Sequence, residues 1–309
     1  MMFVRRCAVF VAAFTLALAT VAKPRVGHVF IISIDGGKPS VMQACKMPVL
    51  EKVVTEGAHT WVAETIFPSK TLPAHTSMLT GVGPDKHKIL WNDWKPEAGL
   101  VQVTTVFAEA KKAGFSTAMI VGKEKFRHLD LPGTVDEFDY DKAHSGVVVK
   151  STTGEGALES EGTVFAETVA KHAAAYIIKN KPVLCFIHFS DPDVAGHKYG
   201  WGSPQQIKSL AAVDAALDKI FKAIRKAGLA DQSVVIISSD HGGHGRRHGT
   251  NEPEDMQIPW IVWGKGVKPG LTIEASVTTY DTTATALWLL GVPCLGSLDG
   301  HPVTSAFQF

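Results

Sequence analysis

The chain has 309 residues, 45% of them hydrophobic and 20% charged, with 31 Lys and Arg against 30 Asp and Glu. That composition belongs to an ordinary globular protein and excludes a disordered chain, a collagen or a coiled coil. A net charge of +1 excludes a nucleic-acid binder that works through a basic surface, and the length suits one large α/β domain or at most two small ones.

Arg5 and Arg6 precede an apolar run from Cys7 to Ala22, and the small residues Thr20 and Ala22 stand before Lys23-Pro24. A basic start, a short apolar stretch and a small-residue exit predict a signal peptide over 1–22 and a secreted or periplasmic mature chain, 23–309. The run is 16 residues long, short of the roughly 20 that a spanning helix needs, and no later segment is long and apolar enough to span. Three cysteines remain, Cys45, Cys185 and Cys294, enough for one disulfide at most. Cys185 lies in an apolar run, where a buried thiol is expected.

Along the mature chain, His28–Ile34, Ser116–Val121, Leu184–Phe189, Val234–Ser238 and Pro259–Trp263 read as buried strands. Their continuous apolarity suits a parallel sheet covered on both faces. Helical patterns fall between them at Thr104–Ala113, Thr163–Lys179 and Asp281–Leu290. The clearest helix follows Ser203, with Pro204 at its first position, Leu210, Val213, Leu217, Ile220, Phe221 and Ile224 on one face, and Gly228 at its end. Alternating strand and helix predict a doubly wound, mostly parallel α/β sheet with helices on both faces. The stretch 138–162, rich in Gly, Ser, Thr and charge, reads as a surface excursion or small hairpin within a single domain.

Three of the five strands run into acids: Asp35 after Ile34, Asp191 and Asp193 after Phe189, and Asp240 after Ser239. The carboxyl ends of parallel strands share one edge, so these acids converge, and converging carboxylates call for a cation. Histidines accompany them: His197 four residues after Asp193, and His241, His244 and His248 beside Asp240. Histidine with carboxylate favours zinc or a similar transition ion over magnesium or calcium. In the stretch 67–81, polar residues lead into a short helix with Thr71 at its N-terminus, where free N–H groups attract an anion. A hydroxyl there is ordinarily an N-cap, but beside a metal its lowered pKa makes it a nucleophile.

The motifs I-S-I-D-G-G at 32–37, P-S-K-T-L-P-A-H at 68–75, H-K-I-L-W-N at 87–92, D-P-D-V-A-G-H-K-Y-G at 191–200, S-D-H-G-G at 239–243 and H-G-T-N-E-P-E-D-M at 248–256 resemble the type I phosphodiesterase and nucleotide pyrophosphatase family of the alkaline phosphatase superfamily. The resemblance implies two zinc ions, one held by Asp35, Thr71, Asp240 and His241, the other by Asp193, His197 and His248. It selects Asp193 over Asp191 and His248 over His244. It also implies a covalent phosphothreonine at Thr71, with Asn92 donating to a nonbridging phosphate oxygen, and a small-molecule phosphate ester or diester as substrate.

The sequence departs from the family where Leu72 replaces a frequent aromatic residue and Ala74 an asparagine, and no long insertion separates Asp240-His241 from His248. Leu72, Trp91, Trp94 and Tyr199, with Trp201 nearby, are the candidate substrate-pocket residues. A sulfatase would need Cys or Ser before x-Pro-x-Arg, which Thr71-Leu72-Pro73-Ala74-His75 lacks. A phosphomonoesterase on the same scaffold, with Lys70, Arg246 or Arg247 as phosphate contacts, is the alternative. A non-catalytic zinc-binding protein is a further one.

Overall fold

The computed structural model describes residues 23–142, 145–146, 163–293 and 297–309. The expected signal peptide, Cys294 and most of the 138–162 stretch lie outside the described residues. Among those described, no helix is long and apolar enough to cross a membrane, and Cys45 and Cys185 are buried free thiols.

The chain opens with β1 (His28–Ile34), α1 (Pro39–Ala44), α2 (Pro48–Glu56) and β2 (Ala58–Glu64), then α3 (Thr71–Thr80), α4 (Pro84–His87) and α5 (Val106–Lys112). Next come β3 (Thr117–Val121), β4 (Glu137–Asp139), β5 (Ser145–Gly146), β6 (Thr163–Val164) and α6 (Ala166–Asn180). The second half holds β7 (Leu184–Phe189), α7 (Asp191–Tyr199), α8 (Pro204–Lys226), β8 (Ser233–Ser238), α9 (Pro253–Met256), β9 (Gln257–Gly264), β10 (Leu271–Thr272) and α10 (Asp281–Leu290).

Eight strands form one sheet in the order β10-β2-β9-β8-β1-β7-β3-β4. The middle of it, β8, β1, β7 and β3, is parallel and, but for His28 at the start of β1, buried, which is why those strands are largely apolar rather than alternating. Helices α2, α6, α7 and α8 pack together on one face, and α3, α5 and α10 on the other. This is the doubly wound arrangement expected.

Three expectations need correction. The strand at 259–263 extends to Gln257–Gly264 and runs antiparallel to β8 and to β2. Only the loop carrying α9 joins β8 to β9, and a return without a crossover helix places the new strand antiparallel. Strand β2 itself went unassigned, because its alternating burial is that of a strand nearer the sheet margin. The helix expected at Thr163–Lys179 starts instead at Ala166, since Thr163 and Val164 pair with β5. The helix expected at Thr104–Ala113 begins at Val106, because the Thr105 hydroxyl caps it by accepting the Ala108 N–H at 3.2 Å.

Helix α8 has the length and apolar stripe read from its sequence, capped by Ser203, whose hydroxyl accepts the Gln206 N–H. On its buried side it also carries Asp214, whose carboxylate accepts the Val49 and Leu50 N–H groups at 3.1 and 2.9 Å. Those are two of the N–H groups that the first turn of α2 leaves without partners. Asp214→Ala is therefore expected to lower the unfolding free energy by about 1–3 kcal/mol in chemical denaturation; a loss below about 0.3 kcal/mol would mean that this cross-layer cap contributes nothing.

His87, buried at the end of α4, joins two segments. Its Nδ1 accepts the Ile89 N–H at 3.0 Å, which leaves the proton on Nε2 to donate to Ser77 Oγ on α3 at 3.0 Å. Burial lowers its pKa from the ordinary 6.5 to about 4. Between those values the unfolded chain takes up a proton that the native imidazole refuses, so stability is lost as pH falls through that window. Comparison with His87→Asn, which keeps an acceptor for Ile89, should show the wild-type advantage at pH 7 shrinking steadily towards pH 4; an advantage constant with pH would contradict this reading.

Candidate metal centre and active site

The sheet registers bring the acids to one level. Ile34 pairs with Phe189 and Ser33 with Ser238, so Asp35 emerges beside Asp240 on one side and the 190–193 segment on the other. Because β9 runs back from this edge, the whole connection from 239 to 256 is held over the same rim. It carries His241 and His248 there. Asp193 and His197 occupy successive turns of α7, which starts directly after β7.

Each of the three acids has one oxygen engaged and one bare. Asp35 Oδ2 is held by Lys123 Nζ at 2.7 Å and by His188 Nε2 at 2.9 Å. Asp193 Oδ2 is held by the same Lys123 Nζ at 2.7 Å. Asp240 Oδ1 accepts the Gly36 N–H at 3.1 Å. The remaining oxygens, Asp35 Oδ1, Asp193 Oδ1 and Asp240 Oδ2, are buried without a hydrogen-bond partner, as is His241 Nε2.

The histidines are organised the same way. Nδ1 of His197, His241 and His248 faces the carbonyl oxygens of Arg246, Gly242 and Ser69 at 3.0, 2.8 and 2.8 Å. A carbonyl only accepts, so each Nδ1 carries a proton, and in the neutral ring Nε2 presents a lone pair. His241 Nε2 lies 3.4 Å from Asp35 Oδ1 and 3.2 Å from Asp240 Oδ2. His197 Nε2 and His248 Nε2 lie 3.2 and 3.5 Å from Asp193 Oδ1 and 3.0 Å from each other. Two atoms each about 2.0–2.1 Å from a tetrahedral cation stand roughly 3.3 Å apart, so these spacings are those of ligand shells.

Charge points the same way: three buried carboxylates face one ammonium. Burial and Asp193 push the Asp35 carboxyl up, but Lys123 and His188 outweigh them and hold it below the ordinary range. Burial likewise pushes Asp193 up, and Lys123 and His197 overcome it. Asp240 has no such partner, and burial followed by repulsion from Asp35 raises its carboxyl well above the usual value. Burial lowers the pKa of both His241 and His248. The nitrogen and oxygen donors fit one or more divalent cations of the transition series. Asp193, His197 and His248 form one candidate group, and Asp35, Asp193 and His241 another, with Asp193 common to both. That sharing differs from the expected division, which gave Asp193 to one ion alone.

Thr71 is the buried first residue of α3, with Lys70 at the N-cap position. Its carbonyl accepts from His75 Nδ1 at 2.8 Å, His75 Nδ1 stands 3.5 Å from Asp240 Oδ2, and Ser33 Oγ donates to His75 Nε2 at 2.7 Å. Two residues earlier, Ser69 holds His248, so the loop entering α3 is tied to both histidine–acid groups. Asn92 reaches α3 as well: its Oδ1 accepts the Leu72 N–H at 2.8 Å, which leaves its amide N–H groups as donors.

Other candidates separate cleanly. Asp191 accepts the Ala166 N–H, and burial pushes its carboxyl up to about 7. His244 turns to Asp255, which also accepts the Thr250 N–H and hydroxyl and so orders the loop. Leu72 is corrected: its side chain is 1% exposed in the core and offers no pocket surface. Trp91 and Trp94 both rest on His128. Tyr199 is 42% exposed under Lys198. Trp201, by contrast, packs edge-on against His197 and donates to the Gly36 carbonyl at 3.0 Å. A Cβ on Gly243 would meet its ring at 2.2 Å, so that glycine is a requirement of packing.

Sequence reading missed Lys123 and His188. Lys123 follows the end of β3, the fourth parallel strand to finish at this edge, and His188 lies inside β7. The strand-end argument would have found the lysine; a histidine in an apolar strand gives no such signal.

The model of the family described as type I phosphodiesterase / nucleotide pyrophosphatase matches residues 29–246. A bis(5'-adenosyl)-triphosphatase of Xenopus laevis is 28% identical over 224 residues, covering 69% of this chain and 46% of the relative. A GPI ethanolamine phosphate transferase 1 of Gibberella zeae is 24% identical over 223 residues, 71% of this chain and 22% of that protein. The chain thus spans less than half the length of these relatives. Murine ectonucleotide pyrophosphatase / phosphodiesterase 5, in an inactive threonine-to-alanine form with AMP, superposes with a TM-score of 0.70 at 14% identity, over 91% of this chain and all of that one. A phosphonate monoester hydrolase of Silicibacter pomeroyi gives 0.64 at 15% identity, over 89% and 76%. At such identities the structures speak to fold alone. The family match spans β1, the loop entering α3, α7 and the first part of the β8–β9 loop, and the chain belongs to the type I phosphodiesterase / nucleotide pyrophosphatase family.

Proposed function

We propose that this protein is an exported, metal-dependent hydrolase of small-molecule phosphate esters, a phosphodiesterase or nucleotide pyrophosphatase that works through a covalent intermediate on Thr71. The observation that carries this reading is the set of bare oxygen and Nε2 atoms converging at ligand spacing beside the helix that Thr71 opens. Export rests on the composition of residues 1–22.

Asp35, Asp240 and His241 would hold one zinc ion with Thr71, and Asp193, His197 and His248 the other, with Asp193 placed between them. When bound, such ions supply Lewis-acid charge and lower the pKa of a coordinated hydroxyl. The protein's own groups do the rest. Thr71 Oγ forms a bond to phosphorus as the leaving-group oxygen departs, its proton passing to solvent. His75, fixed by Ser33, anchors the Thr71 carbonyl and keeps the hydroxyl at the helix N-terminus, where the dipole favours the phosphate anion. Asn92, its carbonyl oxygen engaged by Leu72, turns its amide donors to a nonbridging oxygen. Water then cleaves the phosphothreonine and restores the hydroxyl. A diester, with a single negative charge, is the substrate the family resemblance favours over a monoester dianion; of the cations that a monoester could recruit, Arg247 is engaged with His244 at 3.1 Å.

Purified protein should hydrolyse bis-p-nitrophenyl phosphate faster than p-nitrophenyl phosphate, lose that activity on chelation and regain it with zinc. A preference for the monoester would favour the phosphomonoesterase reading. Thr71→Ala should keep the circular dichroism spectrum and lose at least about 10³-fold in turnover, and Asn92→Ala about 10²–10³-fold. Undiminished turnover in Thr71→Ala would remove the nucleophile assignment.

A further inference from the structure

Lys123 is a buried cation that the proposed chemistry does not use. It follows β3, and its side chain is 8% exposed. Its ammonium lies 2.7 Å from Asp35 Oδ2 and 2.7 Å from Asp193 Oδ2, one acid from each proposed metal group. Both contacts are to the outer oxygens. The inner ones, Asp35 Oδ1 and Asp193 Oδ1, stay bare. The lysine therefore neutralises the acids without occupying an atom that faces a metal.

We propose that Lys123 is a positioning residue that stands in for metal charge before metal binds, so that the site folds and holds its shape empty and loads afterwards. The inference rests on Asp35 and Asp193 being metal ligands. Two carboxylates buried side by side without a cation would be strongly destabilising, and an unfolded chain offers no assembled site to recruit one. A lysine supplies the charge covalently. Its compact ammonium fits between two oxygens that a planar guanidinium would force apart. The same contact links the two groups, since one ammonium sets the orientation of an acid in each.

Thermal melting of metal-free and zinc-loaded protein tests this without reference to turnover. In Lys123→Met the metal-free protein should melt lower than wild type by roughly 8 °C or more, while the zinc-loaded protein loses less than about half of that. The stabilisation by zinc is then larger in the variant than in wild type. The double variant Asp35→Asn/Lys123→Met, which removes one of the charges that the lysine serves, should recover metal-free stability relative to Lys123→Met. Equal losses with and without zinc, or a double variant no more stable than Lys123→Met, would show that the lysine acts by packing alone and would overturn the proposal. If Lys123→Met fails to fold in either state, recovery in the double variant decides for the proposal and its failure against. A wild-type protein that zinc does not stabilise at all would instead sink the metal reading beneath it.

Discussion

Asp35, Asp193 and Asp240 lie together under one rim of a buried sheet, and much of the local architecture answers the cost of bringing three carboxylates out of water. Each acid has one oxygen tied, by Lys123 and His188, by Lys123, or by the Gly36 N–H. Three histidines have their Nδ1 atoms turned to backbone carbonyls. What remains is a set of acceptor atoms with no donor among the described residues, aimed inward and spaced as ligands around a cation. Burying unpaired acceptors would be destabilising unless something positive completed them, so the arrangement has its physical sense as a metal centre.

The reversal of β9 is the topological feature that completes it. Had the chain crossed over after β8 to add another parallel strand, the segment after Asp240 would have left the rim. Instead it turns within the rim, and Asp255 gathers it by accepting from Thr250 while holding His244. His241 and His248 then stack with their rings 3.6 Å apart. On the other side Trp201 fills the space beside His197, in a gap that Gly36, Gly196 and Gly243 leave open. Thr71 enters through a different layer, on the helix whose carbonyl and preceding loop are bound to His75 and His248.

The buried parallel strands could be read from the sequence because complete burial leaves a continuous apolar run, and the acids because a strand end in such a sheet has few other reasons to be charged. The bounds of β1, β7 and α10 follow from the same patterns. The orientation of β9 could not be read, since an apolar strand looks alike in either direction. Strand β2 alternates too briefly to stand out. His188 escaped because a histidine inside an apolar strand gives no signal of its own, whereas Lys123 stands just past a strand end, where the argument that found the acids applies to it as well; Leu72 misled because its place beside Thr71 says nothing of which way a helical side chain faces. Asp214 was hidden in the stripe of α8 for the same reason: its partner, α2, is about 165 residues away in sequence.

Crystals grown with zinc, measured on both sides of the zinc absorption edge, test the centre most directly. Anomalous peaks are expected in two places, one among Asp35, Asp240 and His241 beside Thr71, the other among Asp193, His197 and His248. A map with no anomalous density at this rim, or with the ions bound elsewhere on the surface, would contradict the account.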